Sequence, residues 1–446
     1  MKRCLIKELV KWKQKKTRKP LLLLGARQVG KTWLLLEFGK TFYEKIAYIR
    51  FDRAPRMKES FEQDYDMQRL LTSIELHTNC RLDNEETLLI LDEIQECPAA
   101  ITSLKYFCED LPHLHVVAAG SLLGLFEHQG TGFPVGKVNI MHLYPMSYAE
   151  FLEAMGQGKM VDLLNAQDWG MIKLFSAKYA EYLRYYYYVG GMPEAVKQFA
   201  EDRDFAEVRN IQLDLLSSYQ RDFSKHAPTE TRARISLLWD ALPDQLSREN
   251  KKFVCADVQK GARMRDLEFG LQWLQDAGLA YMVRRVSKPA LPPDAYRESA
   301  FKLFHLDVGL LAAQSGLHVD VILEGNRIFQ EFKGALAEQF VQQELRAYFG
   351  ITPYYWTASN GQSEIDFLIP HGMELIPIEV KAELNLTAKS LKSYCRKYTP
   401  QLAIRTSMAH YHVQKITTPE NFIYTQSDIP LYALSQLHSN ADRCFK

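Results

Sequence analysis

The run Leu21-Leu22-Leu23-Leu24 passes directly into Gly25-Ala26-Arg27-Gln28-Val29-Gly30-Lys31-Thr32 and then into a helix-prone stretch reaching Phe38. The segment reads as strand, phosphate loop, helix. Gly25 and Gly30 let the backbone curl so that successive N–H groups, with a helix N-terminus behind them, face an anionic phosphate. Lys31 would reach the β and γ phosphates, and the Thr32 hydroxyl would sit on Mg2+. A loop that only joins a strand to a helix would explain the glycines but not Gly30-Lys31-Thr32 in register.

A partner motif follows at a fitting distance. Thr87 to Glu93 (TLLILDE) is an almost wholly apolar strand closed by two acids, as expected of a buried parallel strand carrying carboxylates at its C-terminal edge. Asp92 would hold Mg2+ directly or through water, and Glu93 would orient or deprotonate the attacking water. Further strands are expected at Lys45 to Phe51, His115 to Gly120 and Val138 to Leu143, with a helix from Tyr148 to Glu153. Ser121 stands just past the fourth strand, where it either touches the γ-phosphate or caps a turn. Strands alternating with helices predict a doubly wound, mostly parallel sheet, with ligands at the carboxyl ends of its strands, where Lys31, Asp92, Glu93 and Ser121 fall.

A chain of 446 residues exceeds one ordinary core, and 47% hydrophobic residues can fill two to four units. With 55 Lys+Arg against 54 Asp+Glu, bulk charge does not announce a nucleic-acid binder, so any basic patch must be local. The seven cysteines are scattered without a C-x-x-C pair, which speaks against a disulfide framework or zinc site and fits a reducing cytosol. Residues 1–20 are basic but lack an apolar signal core, and no run approaches the ~18 apolar residues of a membrane span. A cytoplasmic protein with no membrane partner is expected. The basic run from Lys11 to Lys16 reads as a solvated face.

Gly25 to Thr32, Leu88 to Glu93 and the segment from Gly120-Ser121 to Pro145-Met146-Ser147 resemble the AAA-type ATPases of bacteria and archaea that carry a C-terminal domain of unknown function. Tyr187-Tyr188-Val189-Gly190-Gly191-Met192-Pro193 resembles that family's lid, and Phe301 to Leu311 (FKLFHLDVGLL) its recurring central block. The resemblance spans nearly the whole chain. It implies ATP and Mg2+ as cofactors and a homo-oligomer in which a neighbour supplies an arginine, with Arg53, Arg184 and Arg221 as candidates. One departure is Gly136-Lys137, where Gly-Arg is expected; lysine lacks the planar fork that an arginine role there would use.

Residues 170–225 are helix-rich and aromatic (Tyr182, Tyr185 to Tyr188), reading as a packed lid. Ile235 to Leu246, Cys255 to Lys260 and Asp266 to Ala277 read as helices, and Leu279 to Arg285 with Pro289, Pro292 and Pro293 resembles the strand and wing of a winged helix. Lys251, Lys252, Lys260, Arg263 and Arg265 gather near the expected recognition helix, leaving DNA binding and protein docking both open.

The last third carries a second set. A helix from Gly334 to Phe349 bears Glu338, the alternating strand Glu364 to Ile369 bears Asp366, and Leu375 to Lys381 ends in Glu379-Val380-Lys381. The order resembles the PD-(D/E)xK nuclease core, restriction-endonuclease-like in fold. There Asp366 and Glu379 would bind a divalent metal, Glu338 would complete the site, and Lys381 would position the attacking water. Glu379 and Lys381 are two apart on a strand and so share a face. Lys389, Lys392, Arg396 and Lys397 follow on a helix that either tracks a phosphate backbone or is an exposed face.

The expected division is an ATPase core over 1–155, a helical lid over 156–228, a winged-helix-like domain over 229–325 and a nuclease-like domain over 326–446. Its expected partners are ATP and nucleic acid, DNA ahead of RNA. Either the last domain cleaves nucleic acid, or it is an inactive nuclease fold in a nucleotide-switched DNA- or protein-binding scaffold.

Overall fold

A computed structural model describes residues 1–446 apart from 83–84, 122–133, 249–250, 325–329, 360, 383–388, 438, 440 and 442–446, with the side chains of 322–324 and 330–331 also outside the description. The expected boundary at 325/326 lies outside the described residues. The chain divides into two compact units, residues 3–144 with 276–278, and residues 1–2 with 145–275 and 279–446.

The first unit is built on five strands: β1 (Leu21–Gly25), β2 (Lys45–Arg50), β3 (Thr87–Asp92), β4 (His115–Ser121) and β5 (Asn139–His142). They form one parallel sheet in the order β2-β3-β4-β1-β5. Every residue of β1, β3 and β4 is buried, whereas the outer strands β2 and β5 alternate in exposure. This is why the inner strands read as continuous apolar runs, each buried leucine contributing about 1.5–3 kcal/mol. Leu22, Leu24, Leu89, Leu91, Val116 and Ala118 pack on one face with Phe61, Leu70, Ile74, Leu104 and Phe107 from the helices Pro55–Gln63, Met67–Thr78 and Pro98–Asp110. On the other face the helix Lys31–Phe42 lies so close that a Cβ on Gly39 would stand 2.7 Å from Ile46 Cδ1. Helices thus cover both faces of an α/β fold.

Two boundaries differ from expectation. Ser121 is the last residue of β4 rather than the first beyond it, paired with Gly25 of β1. The fifth strand is shorter than Val138 to Leu143, its four residues pairing with Leu21 to Leu24 of β1.

The second unit holds an eight-stranded mixed sheet. Its strands are β6 (Ala280–Val286), β7 (Arg297–His305), β8 (Tyr354–Thr357), β9 (Glu364–His371), β10 (Glu374–Val380), β11 (Leu402–Ser407), β12 (His412–Thr417) and β13 (Ile423–Pro430), in the order β12-β13-β11-β10-β9-β8-β6-β7. The antiparallel β6-β7 pair follows the helices Arg232–Ser247, Cys255–Val258 and Met264–Asp276 in the order expected of a winged helix. Its outer side is not free: β6 runs parallel to β8 through Arg284↔Tyr354 and Arg285↔Tyr355. Backbone donors and acceptors of β6 are thereby satisfied by the C-terminal strands.

The lid motif and the central block meet in this unit. Asp307 caps the helix Val308–Gln314 and accepts a bond from the Gly191 N–H at 2.7 Å. Gly190 has φ +73°, and a Cβ there would stand 2.0 Å from Asp307 Oδ1; a Cβ on Gly309 would stand 2.5 Å from Gly190 N. Side chains at either glycine would force the two segments apart. Tyr182, Tyr186, Tyr187 and Tyr188 are buried and Tyr185 is half-buried. Among the described residues, no helix is long and apolar enough to cross a membrane, and Cys80, Cys97, Cys108, Cys255 and Cys395 are free thiols.

Candidate functional site

At the carboxyl end of β1 the chain turns through Gln28, with φ 64°, and Gly30, with φ 93°, the latter standing at the N-cap of the helix Lys31–Phe42. Gly25 must lack a side chain, since a Cβ would come within 2.3 Å of the Leu143 carbonyl oxygen. Ala26 and Val29 are buried, Arg27 is half-buried and Gln28 is exposed at the tip. Arg3 braces the turn by donating to the Val29 carbonyl at 2.8 Å and to that of Tyr144 at 2.6 Å. Nothing local in the sequence ties Arg3 to this loop.

Lys31 lies inside the loop. Its Nζ donates to the carbonyls of Gly25 at 3.0 Å and Ala26 at 2.8 Å. Burial lowers its pKa to about 8 against the opposing pull of Glu93 and Asp92. A buried ammonium served by neutral carbonyls gains from a phosphate. The Thr32 hydroxyl donates to Asp92 Oδ2 at 2.9 Å, so the loop and the end of β3 touch through a hydroxyl and a carboxylate. That hard oxygen pair fits a Mg2+ ion carried in with nucleotide phosphates.

Tyr48 on β2 donates to the same Asp92 oxygen at 2.8 Å. Glu93 sits in the left-handed region at φ 51°, a costly conformation for a non-glycine residue. Its Oε2 accepts from Gln95 Nε2 at 2.5 Å, and the Gln95 side-chain oxygen accepts from the Ser121 N–H at 3.2 Å. Gln95 therefore ties Glu93 to the end of β4. The sequence does not single out Tyr48 or Gln95; for Tyr48 the available signal was the strand alternation that sets it on the same face of β2 as Arg50, the residue paired with Asp92. Lys137 pairs with Glu109 at 2.9 Å, and Arg53, Arg184 and Arg221 are exposed.

In the second unit, Glu338 from the helix Gln330–Ala347, Asp366 from β9 and Glu379 from β10 come together with Lys381. Lys381 pairs with Glu379 at 2.7 Å, as their spacing predicts, and the buried Glu379 Oε2 has no hydrogen-bond partner. Asp366 Oδ2 accepts from the Val380 N–H at 2.8 Å, joining β9 to β10. Two participants were not singled out. Glu364 shares a face of β9 with Asp366, a legible two-residue spacing. Lys302 of β7 enters the cluster, its Nζ lying 3.3 Å from Glu338 Oε2, 2.5 Å from Glu364 Oε1 and 3.9 Å from Asp366 Oδ1.

Lys251, expected with the other cations near a recognition helix, is instead turned in to Glu338 at 2.5 Å, while Lys252, Lys260, Arg263 and Arg265 are exposed. Lys389, Lys392, Arg396 and Lys397 lie exposed on the helix Lys389–Tyr398, whose Leu391, Tyr394 and Cys395 are buried. Burial works against the Glu338 charge, but Lys251 and Lys302 hold its carboxyl down at about 2. Burial, with Glu338 and Glu379 close by, pushes Asp366 well above the usual carboxylate range. Magnesium wants oxygens at about 2.0–2.1 Å in an octahedron. With the Lys302 ammonium against Glu338 and Asp366, the set does not fit a divalent ion.

The first sheet and its loop define a P-loop nucleotide-binding domain. Residues 17–152 match the family described as AAA domain, in agreement with the P-loop sheet of this unit. Residues 180–320 match one domain of unknown function (DUF8612) and residues 333–424 another (DUF4143). No curated protein matches the chain. Among solved structures the chain is similar to a Walker-type ATPase of Pyrococcus abyssi at 14% identity and a TM-score of 0.43, over 70% of this chain and 94% of that one.

Proposed function

We propose that the chain is a Mg2+-dependent ATP hydrolase whose turnover is coupled to a nuclease-like, nucleic-acid-directed C-terminal domain, working as a homo-oligomer. The observation that carries the ATPase half is Lys31, buried on two loop carbonyls beside the Thr32–Asp92 pair. In this reading Gly25 to Thr32 wrap the phosphates, Lys31 meets the β and γ groups, and Thr32 and Asp92 hold the ion. Magnesium, when bound, neutralises charge on the transferring phosphoryl group. Glu93 orients or deprotonates the attacking water. Gln95 holds Glu93 by its carboxylate until the γ-phosphate arrives, and Ser121 would sense that group. An exposed arginine among Arg53, Arg184 and Arg221 would serve a neighbouring copy's site.

Lys31→Ala is expected to abolish ATP hydrolysis together with nucleotide binding. Glu93→Gln is expected to retain binding and to slow turnover by about 10²–10⁴-fold, the usual loss of a positioned base. Full turnover in Lys31→Ala would sink the assignment.

For the C-terminal domain, one observation favours the reading as a switched DNA- or protein-binding scaffold over an active nuclease: Lys302 stands among the acids that would be needed for metal. Binding to nucleic acid that weakens steeply with salt would support a phosphate-gripping surface, and salt-insensitive binding to protein would support docking.

A further inference from the structure

Lys302 sits in an apolar stretch of β7, flanked by Phe301, Leu303, Phe304 and His305, all buried, and its own side chain is 1% exposed. A buried ammonium needs paired and hydrogen-bonded surroundings. It finds Glu338 from a helix, Glu364 and Asp366 from β9, and the face of the Tyr355 ring 5.2 Å away. Lys251 takes the second oxygen of Glu338, and Lys381 takes one oxygen of Glu379. Glu379 Oε2 alone, among the described carboxylate oxygens of the cluster, is buried without a hydrogen-bond partner.

We infer that the ammonium of Lys302 is the resident cation of the Glu338–Glu364–Asp366 cluster, taking the place that a divalent metal holds in a nuclease site of this pattern, so that the native chain binds no divalent ion there. Lys302 meets three carboxylates from two separate elements at once, and a surface lysine does not do that. A divalent ion ligated by Glu338 and Asp366 would have to enter the space the ammonium fills and would repel it at close range. The root of the side chain is fixed by its strand: β7 is paired with β6 through Met282↔Leu303 and Val283↔Lys302, which sets the face of the sheet from which Lys302 leaves. Glu338, Glu364 and Asp366 thus form an ion cluster with a lysine at its core. The inference rests on the nuclease-like reading only in naming the ion that Lys302 replaces.

The test is Mn2+ binding to the full chain without nucleotide, followed by the loss of the free-ion electron paramagnetic resonance signal. Wild type is expected to show no Asp366-dependent Mn2+. Lys302→Met, which keeps an unbranched side chain one atom shorter and removes the charge, is expected to gain one Mn2+ per chain, lost again when Asp366→Asn is added. If Lys302→Met does not fold, Lys302→Met with Glu364→Gln removes one acid along with the cation and is expected to gain the same ion. Mn2+ bound by wild type and lost in Asp366→Asn would overturn the inference while leaving the nuclease-like reading standing. A folded Lys302 variant that gains no ion would overturn it by the other route, since the carboxylates would then be no metal site at all and the nuclease-like reading would fall with it.

Discussion

Two buried lysines, one in each unit, show how the same side chain serves opposite ends. Burial disfavours the charge of both. Around Lys31 the closest partners are neutral carbonyls, and its pKa falls to about 8. Around Lys302 three carboxylates outweigh an even deeper burial and raise its pKa above the ordinary value. The difference lies in the partners rather than in the depth. An ammonium left short of negative charge gains from an incoming phosphate, whereas one already satisfied by carboxylates has nothing to gain and blocks other cations.

The comparison can be broken most easily by stability. Removing Lys302 strands buried acids, so Lys302→Ala is expected to cost about 3–5 kcal/mol, the usual penalty for breaking a buried ion pair. Removing Lys31 discards a charge the fold holds at a cost, so Lys31→Ala is expected to change stability by less than about 1 kcal/mol, in either direction. Urea unfolding of both variants checks this, and equal losses would contradict the distinction.

A finer test uses pH. In the nucleotide-free chain Lys31 loses its proton near pH 8, below the ordinary lysine value because of burial. Bound phosphates favour the ammonium and raise that pKa. Below pH 8 the charge is already present and affinity should be flat. Above it, binding must take up a proton, and ATP affinity should weaken by up to about tenfold per pH unit until the pKa of the complex is reached. Titration with a fluorescent ATP analogue between about pH 7 and about pH 10 measures this. Lys31→Arg, which keeps its charge, should show no such decline if it still binds; an unchanged affinity in wild type over that range would remove the electrostatic account of Lys31.

What was legible in the sequence follows the same divide. The loop around Lys31 is local, with Gly25, Gly30, Lys31 and Thr32 set by one turn between a strand and a helix, and the inner strands advertise their burial by being apolar throughout. Asp92 and Glu93 close such a strand. Arg3 and Tyr48 come from other segments and only the folded sheet brings them to the loop and its acids, whereas Gln95 follows Glu93 by two residues and its tie to Ser121 of β4 is the long-range part. In the second unit, Glu364 was readable from its spacing to Asp366. Lys302 was visible as a lysine among Phe, Leu and His, an oddity that signals a buried partner, but nothing in one sequence names Glu338 and Asp366 as that partner. The pairing of β6 with β8 is likewise long-range, and the prolines that follow β6 fit either a free wing or a strand that joins a larger sheet.

The most direct test of the account follows ATP hydrolysis and nucleic-acid cleavage in one tube, with Mg2+ or Mn2+ and a mixture of single- and double-stranded DNA and RNA. For wild type the account predicts that ATP is consumed, in a manner lost in Lys31→Ala, while every nucleic acid stays intact. Metal-dependent cleavage that disappears in Asp366→Ala or Lys381→Ala would contradict it, because the acids around Lys302 would then be working on a metal after all.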